Sequence, residues 1–191
     1  MRSDFYGVRK GLVGILALLE LSGLAPTASA IAGSPLKGSG SYTLVSAAFT
    51  YDGSAAAILL TGSGQDNLGG SFTFQCVAEL SPTATVCTAP DSTTGTRFDQ
   101  VQSDCASNYH RGQLYLFAGA GKGSQCISNT TGSAGGSADY TVTGGTRKLA
   151  GASGSFNVSF TSQTLAAPGT PPGANGLFGA GQFSESGAVS K

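Results

Sequence analysis

The sequence predicts an all-β domain of roughly eight or more short strands, a barrel or a sandwich, preceded by a signal peptide. Three observations support this prediction. Hydrophobic residues of the predicted mature chain recur with period two rather than 3.6. The 191 residues include 30 glycines, which punctuate the chain, and no later segment carries the apolar stripe of a helix. The first residues are arranged as an export signal.

The amino-terminal segment predicts export. Basic residues precede the uninterrupted apolar run Gly11–Leu19, and Ala28-Ser29-Ala30 offers the small residues that a signal peptidase needs. A membrane anchor is the alternative, but a spanning helix needs about 20 apolar residues, and Glu20 ends this run too early. We therefore predict a signal peptide over residues 1–30 and a single secreted domain over residues 31–191, with no membrane span in the mature chain.

Alternation places the strands in chain order. Asp52-Gly53 is a strong hairpin signal between the first two strands. Two stretches without alternation are expected to be irregular: Cys87–Tyr109, and the Pro/Gly-rich Ala166–Gly176. The predicted strands are Tyr42–Tyr51, Ala55–Thr61, Ser71–Leu80, Gln113–Ala118, Asp139–Thr143, Ser155–Thr161, Phe178–Phe183 and Gly187–Val189.

The charge pattern excludes a nucleic-acid partner. Charged residues make up 10% of the chain and the formal net charge is zero, whereas nucleic-acid binders carry a basic patch or stripe. The exported surface is therefore expected to depend on Ser, Thr and Asn for solubility. The sequence assigns no oligomeric state.

Four cysteines, Cys76, Cys87, Cys105 and Cys126, all lie in the exported part. In an oxidising compartment an even number predicts two disulfides, for which three pairings are possible. We favour Cys76–Cys87 with Cys105–Cys126, because each then closes a local segment and the second staples a loop that carries Tyr109 and His110. A metal site is the alternative, but it lacks a C-x-x-C spacing and a placed histidine ligand.

The possible catalytic motifs of the sequence fail on spacing. Gly119–Ser124 (GAGKGS) lacks the first glycine, the Ser/Thr and the following helix of a phosphate-binding loop. His110 is the single histidine, and no G-x-S-x-G elbow accompanies it. Glu79 is the one candidate carboxylate: pointing into a barrel it would have a raised pKa, but we favour the outward orientation because unpaired charges are rarely buried.

A glycine-rich stretch carries a family resemblance. Gly144-Gly-Thr-Arg-Lys-Leu-Ala-Gly-Ala-Ser-Gly154 is similar to the G-G-T-G-[RK]-F-A-G-A-[ST]-G signature of a group of secreted bacterial β proteins, which resembles the allene oxide cyclase and dirigent barrel superfamily. Upstream, Gly62–Thr73 is similar to the group's G-x-G-x-x-x-H-L-G-x-F-T element. Arg147 replaces a glycine of the signature, so a different turn is expected there. Asn67 precedes Leu68-Gly69 and so stands where the element has its histidine before Leu-Gly.

The resemblance implies an eight-stranded antiparallel barrel with an apolar interior, but no catalytic motif of the superfamily matches residue by residue. Gly144, Gly145, Gly151 and Gly154 are interpreted as a tight turn between two strands, with Leu149 as an apolar peg and Arg147-Lys148 in solvent.

The leading functional hypothesis is a disulfide-stabilised barrel without catalytic machinery, metal or cofactor, which binds a small apolar ligand or has an extracellular structural role. The alternatives are a cyclase- or isomerase-type enzyme that uses an inward carboxylate such as Glu79, and a recognition module that uses a stapled Cys105–Cys126 loop.

Overall fold

The computed structural model describes residues 33–49, 56–166 and 177–191. The predicted signal peptide, the Asp52-Gly53 hairpin and nearly all of the Ala166–Gly176 loop lie outside them. The strands are β1 Ser34–Phe49, β2 Ala56–Asp66, β3 Gly70–Thr88, β4 Thr94–Tyr109, β5 Gly112–Ala118, β6 Gly123–Ser128, β7 Ser133–Gly145, β8 Ser153–Ala166 and β9 Leu177–Ser190. A single 3₁₀ turn, Arg147–Leu149, precedes β8.

These strands close into an antiparallel barrel. Each pairs with the next along the chain from β1 to β5, β7 pairs with β8 and β8 with β9, and β9 returns to pair with β1. β5 pairs with Ser103–Tyr109 of β4, whereas β6 pairs with Gly95–Asp99, near the start of the same strand. Because β5 and β6 both also pair with β7, these two short strands share one position in the wall of the barrel. The wall therefore has eight strand positions. This confirms the predicted all-β barrel and decides against the sandwich.

Strand β4 corrects one expectation. Most of Cys87–Tyr109, predicted to be irregular, is a 16-residue strand. Its buried positions include Gln100, Ser103 and Ser107, so inward and outward faces are both polar and the sequence shows no hydrophobic alternation. Predicted strands Phe178–Phe183 and Gly187–Val189 are likewise one continuous strand, β9.

The favoured disulfide pairing is wrong. Cys76 bonds to Cys105 (the inner disulfide) and Cys87 to Cys126 (the outer disulfide). Cys76 and Cys87 lie on one extended strand, on the order of 30 Å apart at the rise of a β-strand, and cannot meet. Cys76 instead sits directly opposite Cys105 on β4, with a Cα–Cα distance of 4.1 Å. The Cys105–Cys126 stapled loop therefore does not exist, and the recognition module loses its basis.

The glycine-rich signature closes one end of the barrel. Leu149 is 1% exposed and joins the buried cluster that contains Leu36, Leu114 and Val189, while Arg147 and Lys148 are exposed. The peg and the solvent-facing pair are therefore as expected. Arg147 itself takes a φ of +54°, the left-handed conformation that a glycine adopts at less cost.

Glycines on the inner wall make room for aromatic rings. A Cβ at Gly40 would lie 2.6 Å from the ring of Phe183, one at Gly62 2.6 Å from Phe74, and one at Gly181 2.6 Å from Tyr42. Real Cβ atoms essentially never approach other atoms this closely. Each of these rings therefore lies against bare backbone of the neighbouring strand, at the position directly opposite in the register.

Candidate functional site

A cavity of about 120 Å³ remains inside the barrel. Its wall is mainly aliphatic and aromatic, and the inner disulfide forms part of it. The volume is close to that of the roughly 150 Å³ apolar cavity that admits benzene in an engineered protein. Among the residues that line it are Tyr42, Leu60, Phe72, Phe74, Ala78, Gln100, Ser107, Leu116, Tyr140, Phe183 and Glu185.

Glu79, the carboxylate singled out from the sequence, is not part of this wall. It is half-buried and alternates along β3 with Ala78 and Leu80, which do line the cavity. The outward orientation therefore agrees with the structure, and a catalytic role for Glu79 remains an untested prediction.

Asn67, which replaces the histidine of the related element, has a structural contact. Its side-chain amide donates to the carbonyl of Pro35 at 2.7 Å, and its Oδ1 accepts from the backbone N–H of Lys37 at 2.9 Å. The asparagine thus ties the β2–β3 turn to the start of β1. It does not reach the cavity wall.

A different carboxylate, Glu185, reaches the cavity. Glu185 lies on β9, opposite Gly38 of β1, and Gly38 lies opposite Asp66 of β2. A Cβ at Gly38 would collide with Oε1 of Glu185 and lie 2.8 Å from the Cβ of Asp66. Because Gly38 has no side chain, there is room for the Glu185 carboxyl group. The side chains of Glu185 and Asp66 therefore approach each other on the same inner surface.

The two carboxyl groups differ in their partners. Asp66 Oδ1 accepts from the backbone N–H groups of Leu68 at 2.9 Å and Gly69 at 2.8 Å, and Oδ2 accepts from the Tyr109 hydroxyl at 2.5 Å. Glu185 is 8% exposed, and its Oε1 has no hydrogen-bond partner among the described residues. A buried acceptor without a partner is uncommon in folded proteins, which singles out Glu185 as a candidate for contact with a ligand.

Burial, and then the negative charge of Asp66, raise the pKa of Glu185 to about 7. Both causes act against the ionised form. Burial, followed by the hydrogen bond to Asp66, also raises the pKa of Tyr109 well above its ordinary value, so Tyr109 remains a hydrogen-bond donor. Glu185 is consequently poised to exchange a proton near neutral pH.

Three other polar groups near the cavity have partners. Gln100 donates to the carbonyl of Ala118 at 3.0 Å, and the hydroxyls of Ser103 and Tyr140 lie 3.0 Å apart. Burial raises the pKa of Tyr140. These groups stabilise the wall, and Glu185 differs from them in having an oxygen left without a partner.

The sequence contains a signal for Glu185 in the alternation of β9. Phe183, Glu185 and Val189 occupy alternate positions in one strand and are all buried, but the sequence prediction ended one strand at Phe183 and began the next at Gly187. Asp66 is the last residue of β2, and its bonds to Leu68 and Gly69 are typical of an aspartate at a turn. The hydrogen bond from the Tyr109 hydroxyl to the second oxygen of Asp66 depends on pairing between strands that are distant in sequence. A local sequence pattern does not reveal this pairing.

No group of three or more His, Cys, Asp or Glu side chains in the described residues is arranged to hold a metal ion. No helix in that part of the chain is long and apolar enough to cross a membrane. Comparison with models of protein families, with curated proteins and with solved structures gives no match.

Proposed function

We propose that this protein is a secreted barrel that binds a small, mostly apolar ligand in its interior. The observation that carries the proposal is the cavity of about 120 Å³ lined by aliphatic and aromatic side chains. Burial of apolar ligand surface in such a site is favourable by about 25 cal/mol per Å². The end of the barrel that the glycine-rich turn closes, with Leu149 buried in it, keeps the site apart from water on that side.

Export and kinship are part of this proposal. The signal-like order of residues 1–30 and two disulfides, which persist in oxidising compartments, support secretion. The glycine-rich closing turn and the barrel support a relationship to the allene oxide cyclase and dirigent superfamily. A fold alone does not carry an activity, so binding is the function that we take forward.

The test is titration with ethylbenzene, followed by calorimetry and by amide chemical shifts. Ala78→Leu should fill the cavity and weaken binding at least tenfold. Ala106→Leu is the matched control, because Ala106 lies on β4 between the buried Cys105 and Ser107 and does not line the cavity. Ethylbenzene that binds both variants equally, or that does not bind the parent protein, would contradict the proposal.

Glu185 favours a second candidate, a cyclase- or isomerase-type enzyme. An inward carboxyl group with a pKa of about 7 can both give and take a proton at neutral pH. Native mass spectrometry of protein purified from its own culture medium would identify any small molecule that co-purifies. An enzyme should convert that molecule on prolonged incubation and lose conversion in Glu185→Gln, whereas a binding protein should return it unchanged.

A further inference from the structure

The described interior contains acids but no base. Lys37, Arg97, Arg111, Lys122, Arg147, Lys148, Lys191 and His110 are all exposed. Inside, Asp66 and Glu185 approach across Gly38, and Asp66 accepts three hydrogen bonds while Oε1 of Glu185 accepts none. The cavity therefore offers an already desolvated carboxyl group without a positive partner.

Aromatic rings stand beside this carboxyl group. Phe183 precedes Glu185 by two residues on the same face of β9, and its ring centroid lies 5.4 Å from that of Phe74 and 6.2 Å from that of Phe72. The ring centroid of Tyr109 lies 5.2 Å from that of Phe72. Aromatic faces attract cations electrostatically, and more strongly where water is excluded. The cavity thus combines an apolar wall, π-systems and one unpartnered acid.

We propose that the ligand of this cavity is a small primary amine with an apolar body, whose ammonium group donates to Oε1 of Glu185. The inference rests on the proposed ligand-binding function and names its chemical class. The free-energy cost of removing a carboxyl group from water normally offsets much of the attraction in a buried ion pair. Here folding has already buried Glu185, so the amine does not have to remove this carboxyl group from water when it binds. The incoming ammonium group supplies the missing donor and the missing charge together.

The groups that face Glu185 set the pH dependence. Asp66 on β2 and the Tyr109 hydroxyl on β4 face it, while β1 and β8 present Gly38 and Val158 opposite it. An ammonium ion binds the ionised form of Glu185, which is the minor form below pH 7. Affinity for an amine should therefore rise with pH, and be about 100-fold weaker at pH 5 than at pH 8.5, because only about 1% of the sites are then ionised.

The experiment compares benzylamine with the neutral ligands ethylbenzene and benzyl alcohol, by calorimetry at pH 5 and 8.5. Benzylamine is expected to bind at least tenfold more tightly than ethylbenzene at pH 8.5. Glu185→Gln should remove this preference and leave ethylbenzene affinity within about twofold. Glu79→Gln is the matched control: it makes the same substitution on the outer face of β3 and should leave both affinities unchanged. Thermal unfolding of each variant verifies that it is folded.

The outcomes separate the two proposals. If ethylbenzene binds but benzylamine binds no more tightly, or if Glu185→Gln does not affect benzylamine, the amine inference is wrong and the apolar cavity stands. Benzyl alcohol binding more tightly at pH 5 than at pH 8.5, and more tightly than benzylamine, would show that protonated Glu185 donates to a neutral acceptor and would also overturn the inference. Binding of none of the three would overturn both.

Discussion

Replacing Glu185 by glutamine keeps the shape of a buried side chain and removes its proton equilibrium, so the variant isolates the free energy of ionising that group. In the folded protein the pKa is raised from an ordinary 4.5 to about 7, first by burial and then by Asp66. Between these two values the folded state holds more protons at Glu185 than the unfolded state. The contribution of Glu185 to stability therefore falls as pH rises through this window.

The size of the effect follows from the two pKa values. Each pH unit between 4.5 and about 7 is worth about 1.4 kcal/mol, so ionisation costs the folded state about 3 kcal/mol above pH 7 and nothing below pH 4.5. Glu185→Gln should match the parent protein at pH 4 and be about 3 kcal/mol more stable at pH 8. For a domain of this size the change corresponds to roughly 6–12 °C in Tm.

Urea unfolding with both disulfides intact, measured at intervals from pH 4 to pH 8.5, provides the test. The difference between parent and variant at each pH cancels the titration of the groups that do not interact with Glu185. Glu79→Gln removes a charge from the outer face of β3 and should give no stabilisation of this size. A difference that is the same at pH 4 and pH 8 would refute the account of Glu185 as a desolvated acid.

Three further predictions concern the closing turn and the disulfides. Arg147→Gly should stabilise the protein by about 1 kcal/mol in urea unfolding, because Arg147 has a φ of +54°; no gain would show that its turn is unstrained. Leu149→Ala should lower the unfolding free energy by about 2–5 kcal/mol, since Leu149 is 1% exposed, whereas exposed Lys148→Ala should change it by less than about 0.5 kcal/mol. Dithiothreitol followed by peptide mapping should show the outer disulfide reduced first, because its cysteines are less buried; equal rates would contradict this.

The sequence predicted those elements whose inner face is apolar. Ser71–Leu80 and Ser155–Thr161 alternate clearly, and both lie within observed strands. β4 was missed because polar Gln100 and Ser103 point inward. Inside the barrel these polar side chains form hydrogen bonds with residues that are distant in sequence, such as Tyr140 for Ser103.

The candidate site could not be predicted from the sequence either, because it depends on pairing between strands that are distant in sequence. The disulfide prediction assumed that cysteines near in sequence are near in space, which an extended strand does not allow. The Glu185 carboxyl group depends on the absence of a side chain at Gly38, and on Asp66 one strand further along. Neither relation is visible until the register of three strands is known.

The outer disulfide joins residues 39 positions apart, and this has a consequence for cleavage of the chain by proteases. Arg111 and Lys122 are exposed and lie in turns between Cys87 and Cys126. Cleavage of the chain after either residue would leave two polypeptides that are still covalently joined and still hydrogen-bonded across the barrel. A single nick in these turns should therefore be visible on a reducing gel only, while the interior remains enclosed.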